Sequence, residues 1–254
     1  MKVVLVQQDI VWGDPQANHS HLEEVLSSHP GADLYLLPEM FSTGFATSPR
    51  GIAEESPVPS LGWLKARADE YDAAFAGSVA IREGETFRNR FYFVKPGGDV
   101  TIYDKHHLFT YGGEPRFFTP GDERVSVEFR GVRFRLTICY DIRFPMWCRN
   151  TGDYDALICI ASWPDRRQAN LDALLVGRAI ENQCYVLGVN RVGCDAASLH
   201  YVGGTVIIDP WGNVVEKAAC GRECVIGAEL DMEKLREFRK SFPVLGDADK
   251  FEII

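Results

Sequence analysis

Short apolar runs alternate along this chain with segments whose apolar residues recur at helical spacing. The clearest run is Val132-Arg133-Phe134-Arg135-Leu136-Thr137-Ile138, apolar at every even position and polar at every odd one. That period of two predicts a half-buried strand. Further strand-like runs lie at 3–6, 33–37, 74–80, 90–94, 100–104, 156–161, 185–190, 204–208 and 225–230. Helical spacing marks 17–28, 60–71, 145–151, 168–182 and 232–238, with Ser60 and Asp231 as N-caps of the second and last. Strands alternating with helices predict an α/β fold in which helices cover sheet faces. The turns Pro96-Gly97-Gly98-Asp99 and Pro210-Trp211-Gly212-Asn213 add antiparallel hairpins. The apolar stripe over 171–180 fits a core or dimer face better than a cofactor site.

Composition narrows the field. No repeat, low-complexity tract or linker divides the 254 residues, so a single domain over 1–254 is expected. The net charge of −9, with no local Lys/Arg cluster, argues against a nucleic-acid or anionic-membrane partner. Residues 1–9 read as a short strand rather than a signal peptide, and no apolar stretch reaches the length of a membrane span. The seven scattered cysteines then point to reduced thiols in the cytoplasm. The tail from Ser241 has little pattern and is expected to pack on a neighbouring subunit.

Three residues at strand ends carry candidate chemistry. Cys139 follows the alternating strand, where Cys139-Tyr140-Asp141-Ile142-Arg143-Phe144-Pro145 cannot continue a sheet. Glu39 follows Leu34-Tyr35-Leu36-Leu37-Pro38, and Lys105 follows Val100-Thr101-Ile102-Tyr103-Asp104. A lone cysteine is usually a small buried hydrophobe, and a lone Glu or Lys a solvated charge. Together, at the sheet ends where α/β folds bind ligands, they form a nucleophile, a base and a cation. Glu39 would take the thiol proton; Lys105 would stabilise an oxyanion and bias the thiol toward thiolate. His106 and His107 lack a Cys or carboxylate at zinc spacing, and Cys220 and Cys224 lack a second pair, so no metal is expected. Gly112-Gly113 and Gly203-Gly204 match no phosphate-binding loop, and no cofactor is expected.

In this order, Leu37-Pro38-Glu39-Met40-Phe41, Tyr103-Asp104-Lys105-His106-His107-Leu108-Phe109 and Ile138-Cys139-Tyr140-Asp141-Ile142-Arg143-Phe144-Pro145 resemble the nitrilase superfamily of carbon–nitrogen hydrolases. The resemblance continues through Gln7, Arg178-Ala179-Ile180-Glu181-Asn182, Asn190-Arg191-Val192-Gly193 and Gly203-Gly204-Thr205. It implies a four-layer αββα sandwich, an α/β fold that dimerises through a helical face. It also implies a Glu39–Lys105–Cys139 triad, with Glu114 as a second glutamate and the Tyr140 N–H completing an oxyanion hole with Lys105. Thiolate attack on a small-molecule amide would then give a thioester, ammonia and, after hydrolysis, an acid.

Within the superfamily the short chain and Ala161-Ser162-Trp163-Pro164 resemble the omega-amidase branch, which acts on 2-oxoglutaramate and 2-oxosuccinamate. Such substrates carry a carboxylate and need a second cation. Arg166 and Arg116 are the candidates, with aromatic walls from Trp163 and Tyr111, while Arg143 is expected to brace the elbow through an ion pair. An N-carbamoyl amine, a peptide-like amide or a nitrile would keep the chemistry with another pocket. A catalytically dead binding protein on this fold would be expected to lack a triad member, and none is missing.

Overall fold

The computed structural model describes residues 1–253. Its strands are β1 (Lys2–Gln7), β2 (Leu34–Leu36), β3 (Ala74–Glu83), β4 (Thr86–Val94), β5 (Val100–Asp104), β6 (Ser126–Phe129) and β7 (Val132–Ile138). They continue as β8 (Ala156–Ala161), β9 (Tyr185–Asn190), β10 (Val192–Cys194), β11 (His200–Val202), β12 (Val206–Ile208), β13 (Val214–Lys217) and β14 (Cys224–Glu229). The helices are α1 (Pro15–Ser27), α2 (Pro59–Tyr71), α3 (Pro145–Cys148), α4 (Gln168–Asn182) and α5 (Met232–Ser241). Two six-stranded sheets form, in the orders β14-β1-β2-β3-β4-β5 and β13-β12-β9-β8-β7-β6, beside a two-stranded β10-β11 hairpin.

Side-chain alternation along β1 shows how the layers stack. Val3 and Leu5 enter a core shared with Leu136 and Ile138 of the second sheet. Val4 and Val6 face the other way, into a core with Leu22 and Leu26 of α1 and Leu64 and Ala68 of α2. Phe93 of β4 meets Phe134 of β7 at 5.8 Å between ring centroids, which fixes the sheet-to-sheet faces. On the far side α4 seats Leu175 against Gly188 of β9; a Cβ on that glycine would lie 2.7 Å from Leu175 Cδ1. The result is the expected αββα order, in a mixed α/β fold.

Those four layers correct the reading of β7. Its period of two is real, but Arg135 and Thr137 are buried as well as Leu136 and Ile138. The polar face meets the outer layer instead of water: Arg135 pairs with Asp153 and stands 5.4 Å from the Tyr154 ring. Ser60 is not the cap of α2. Val58 holds that position without a side-chain bond, Pro59 starts the helix, and the Glu54 carboxylate reaches in to accept the Ser60 N–H at 2.8 Å. Asp231 does cap α5, accepting from the N–H groups of Glu233 and Lys234. The helix expected at 145–151 stops at Cys148, because Asn150 is drawn off to the end of α4, where its N–H donates to Asn182 Oδ1 at 2.8 Å. Both expected hairpins form, β4–β5 and β12–β13. Among the described residues no helix is long and apolar enough to cross a membrane.

Parallel pairing sets the position of the site. β1, β2 and β3 are mutually parallel, and β3–β4 and β4–β5 are antiparallel, so β5 points the same way as β2. Glu39, beyond β2, and Lys105, beyond β5, therefore emerge at one end of the first sheet. β7, β8 and β9 are parallel in the second sheet and bring Cys139, Ser162 and Asn190 to one end of theirs. Carboxyl ends of parallel strands are where open α/β sheets place ligands.

Candidate active site

Lys105 is the hub. Its Nζ donates to Glu39 Oε1 at 2.9 Å and to Glu114 Oε1 and Oε2 at 3.2 and 3.0 Å, with all three side chains buried. Glu114 belongs to a 3-10 turn, Glu114–Arg116, and its Oε2 also accepts the Phe109 N–H at 2.5 Å. Burial disfavours charge on Lys105, but Glu114 and Glu39 outweigh it and hold its pKa above the usual lysine value. Burial pushes the Glu114 carboxyl up, only partly offset by Lys105. Glu39 accepts from Asn89 Nδ2 at 2.8 Å and, across the sheet interface, from the Ser162 N–H at 2.9 Å.

Cys139 opens a 3-10 turn, Cys139–Arg143, with φ at +47°. A non-glycine residue there is strained, and such strain clusters at functional sites when neighbours over-determine the backbone. Asp141 supplies that determination. Its Oδ2 accepts from the Ile138 N–H at 2.9 Å and the Tyr103 hydroxyl at 2.6 Å, and its Oδ1 from the His107 N–H at 2.9 Å. The elbow of β7 is thereby tied to β5, the strand that leads into Lys105. Tyr140 lies in the first turn, where backbone N–H groups have no intrahelical acceptor. His106 and His107 are stacked flat on Trp147 and Phe144, with centroids 3.7 and 3.6 Å apart. Among the described residues no group of three or more His, Cys, Asp or Glu could hold a metal ion.

The Cys139 thiol is held well above its ordinary pKa by burial and by Glu39, with Lys105 only partly opposing. Lys105 does pull the sulfur toward thiolate, as expected, but burial and Glu39 outweigh that pull. The Lys105 ammonium is shared between Glu39 and Glu114, which limits what it does for the sulfur.

Cys139 and Lys105 line a small cavity of about 40 Å³ with Phe45, Phe109, Tyr140, Arg143, Trp163, Arg167 and Tyr201. That volume holds about three water molecules, and the cavity shares Phe45, Phe109 and Arg167 with the wider groove outside it. Trp163 is locked by Asn190, whose side-chain amide accepts from the Trp163 N–H at 2.8 Å and donates to its carbonyl at 2.9 Å. Arg166 and Tyr111 line a wider outer groove of about 560 Å³, and Arg116 is exposed away from the cavity. The arginines on the cavity wall are Arg143 and Arg167. Arg143 does not make the expected ion pair among the described residues; its guanidinium lies 4.7 Å from the Trp163 ring. Arg167, 5.3 Å from the Phe109 ring, was not singled out in the sequence, because it and Arg166 differ only in the direction the turn Asp165–Arg167 gives them. Asn89 and Ser162 were also missed. One is a polar residue inside a strand, and the other acts mainly through its backbone.

A family model described as carbon–nitrogen hydrolase matches residues 2–240. An omega-amidase of Escherichia coli is 43% identical over 255 residues, covering 100% of this chain and 98% of the relative. A 2-oxoglutaramate amidase of Bacillus subtilis is 37% identical over 254 residues, covering 96% of both chains. The crystal structure of a CN-hydrolase superfamily protein from Xanthomonas campestris, with an arsenic adduct in its active site, is 36% identical. It superposes with a TM-score of 0.97 over 100% of this chain and 98% of that one. The chain belongs to the carbon–nitrogen hydrolase family. It is an amidohydrolase of the nitrilase superfamily, acting on non-peptide carbon–nitrogen bonds.

Proposed function

We propose that the protein is an omega-amidase, releasing ammonia from the terminal amides of small 2-oxo dicarboxylic acids such as 2-oxoglutaramate and 2-oxosuccinamate. The observation that carries the reading is a cavity that joins Cys139 and Lys105 to two arginines, Arg143 and Arg167. An amide carbon at the sulfur leaves a short acid's far carboxylate within the arginine wall, a pairing favoured by charge and geometry. The omega-amidase and 2-oxoglutaramate amidase names of the relatives support the same substrate class.

Glu39 takes the proton from Cys139 as Sγ attacks the amide carbon. The carbonyl electron pair moves onto oxygen, where Lys105 Nζ and the Tyr140 N–H stabilise it. Collapse breaks the carbon–nitrogen bond, and the amine leaves as ammonia with the proton from Glu39. Water, deprotonated by Glu39, then attacks the thioester; the acid departs and the thiol is restored. Glu114 holds Lys105 in place between the two carboxylates. No cofactor enters the cycle. A homodimer fits the apolar surface where Ile180, Trp211 and Phe242 are exposed and Trp211 stacks on Phe238.

The test is ammonia release from 2-oxoglutaramate, 2-oxosuccinamate, glutamine, an N-carbamoyl amine and a nitrile. The two 2-oxo acid amides are expected to give the highest kcat/KM. Turnover of another compound with none on these two would overturn the substrate assignment.

A further inference from the structure

We infer that Asn89 is a positioning residue for the base, and that it leaves Oε2 of Glu39 as the oxygen that receives the Cys139 proton. The inference rests on the proposed role of Glu39. A carboxylate oxygen has two lone pairs. Oε1 accepts from both Asn89 Nδ2 and Lys105 Nζ, at 2.8 and 2.9 Å, and is full. Among the described residues Oε2 accepts only the Ser162 N–H, at 2.9 Å, so one lone pair remains. The carbonyl of Ser162 lies 4.0 Å from Cys139 Sγ, which places the residue bound to Oε2 beside the sulfur. The Sγ–H proton passes to Oε2 as the carbon–sulfur bond forms.

Asn89 is more than filler in β4. It sits opposite Ala80, is 1% exposed, and its backbone carbonyl accepts the Lys105 N–H at 3.0 Å. One residue thus holds Glu39 by its side chain and Lys105 by its main chain. Its Oδ1 is buried with no partner among the described residues. A buried unmet acceptor is costly, and a leucine would fill the same space without that cost. The amide orientation follows from Glu39, since a flipped amide would set Oδ1 against Oε1, acceptor against acceptor.

The experiment compares Asn89→Leu, which removes the donor at similar volume, with Asn89→Ser, which keeps a shorter one. Cys139→Ala and Glu39→Gln are controls, and thermal melts check folding. With 2-oxoglutaramate, Asn89→Leu is expected to lower kcat/KM roughly 10- to 100-fold, the loss falling on kcat. The acid limb of its kcat/KM profile moves to higher pH, because a carboxylate that loses a donor binds its proton more readily. Asn89→Ser recovers part of both effects. Alkylation of Cys139 by iodoacetamide across pH, followed by peptide mass, gives the same comparison without a substrate. A folded Asn89→Leu with wild-type rate and limb, beside an inactive Glu39→Gln, would overturn the role of Asn89 alone. An active Glu39→Gln or Cys139→Ala would instead overturn the proposed mechanism. If Asn89→Leu does not melt cooperatively, an unshifted limb in Asn89→Ser overturns the inference.

Discussion

Two buried glutamates bracket residues 39–54, and the pair shows what separates a structural carboxylate from a reactive one. Glu39 and Glu54 are 0% and 7% exposed, and each is surrounded by hydrogen-bond donors. Glu54 accepts from the Ser42 hydroxyl at 3.1 Å, the Ser60 N–H at 2.8 Å and the Ser60 hydroxyl. Its donors are neutral and it lines none of the clefts around the site, so its work is to pin the loop to α2. Glu39 has a lysine on one oxygen, a free lone pair on the other, and a strained cysteine opposite. Burial and several hydrogen-bond donors are common to both. A charged partner and a nucleophile close enough to feel its charge belong only to Glu39.

The largest test of that contrast is at the nucleophile. Cys139→Ala is expected to lower turnover by about 10⁴-fold or more while leaving the melt intact, measured by ammonia release and circular dichroism. Glu39→Gln should cost roughly 10²–10⁴-fold, the usual range for a lost general base. Arg143→Met comes next: KM for 2-oxoglutaramate should rise about 10-fold, with a smaller change for a neutral amide, since a charge-assisted contact is lost. Equal losses on both substrates would remove Arg143 from the carboxylate subsite.

Glu54→Gln should keep kcat within about threefold but lose roughly 1–3 kcal/mol of stability from its buried network. A variant as inactive as Glu39→Gln would erase the distinction between the two glutamates. The smallest effect concerns His19, whose Nε2 lies 3.0 Å from the Ser60 hydroxyl and whose ring stacks on Trp63. Burial lowers its pKa from 6.5 to about 4, against an opposing pull from Glu23. The unfolded chain therefore binds a proton that the fold resists. Stability from neutral His19 is complete above about pH 6.5 and is lost as pH falls toward about 4. Melting temperature should drop across that window in the wild type and less in His19→Gln.

The motifs around Glu39, Lys105 and Cys139 were legible because each follows a strand whose pattern ends abruptly. The layer order came with the family resemblance, while strand periodicity alone pointed to a half-exposed β7. Short strands such as β6, β10, β11 and β13 escaped notice because three or four residues are too few to show a periodicity. The arginines are the sharper lesson. Arg116 and Arg166 looked suitable because they sit in loops, but which loop arginine reaches a cavity depends on backbone direction. Arg143 reaches it because the strained elbow turns its side chain onto Trp163. Asn89 was invisible for a related reason: only the packing of β2 against β3 and β4 brings Glu39 over it.

The most direct measurement is an acid quench during turnover of 2-oxoglutaramate, followed by intact mass and peptide mapping. An acyl adduct is expected on the peptide containing Cys139, absent in Cys139→Ala and not found on Cys148 or Cys159. Turnover with no adduct on any cysteine, or with the adduct elsewhere, would contradict the assignment of Cys139 as the nucleophile.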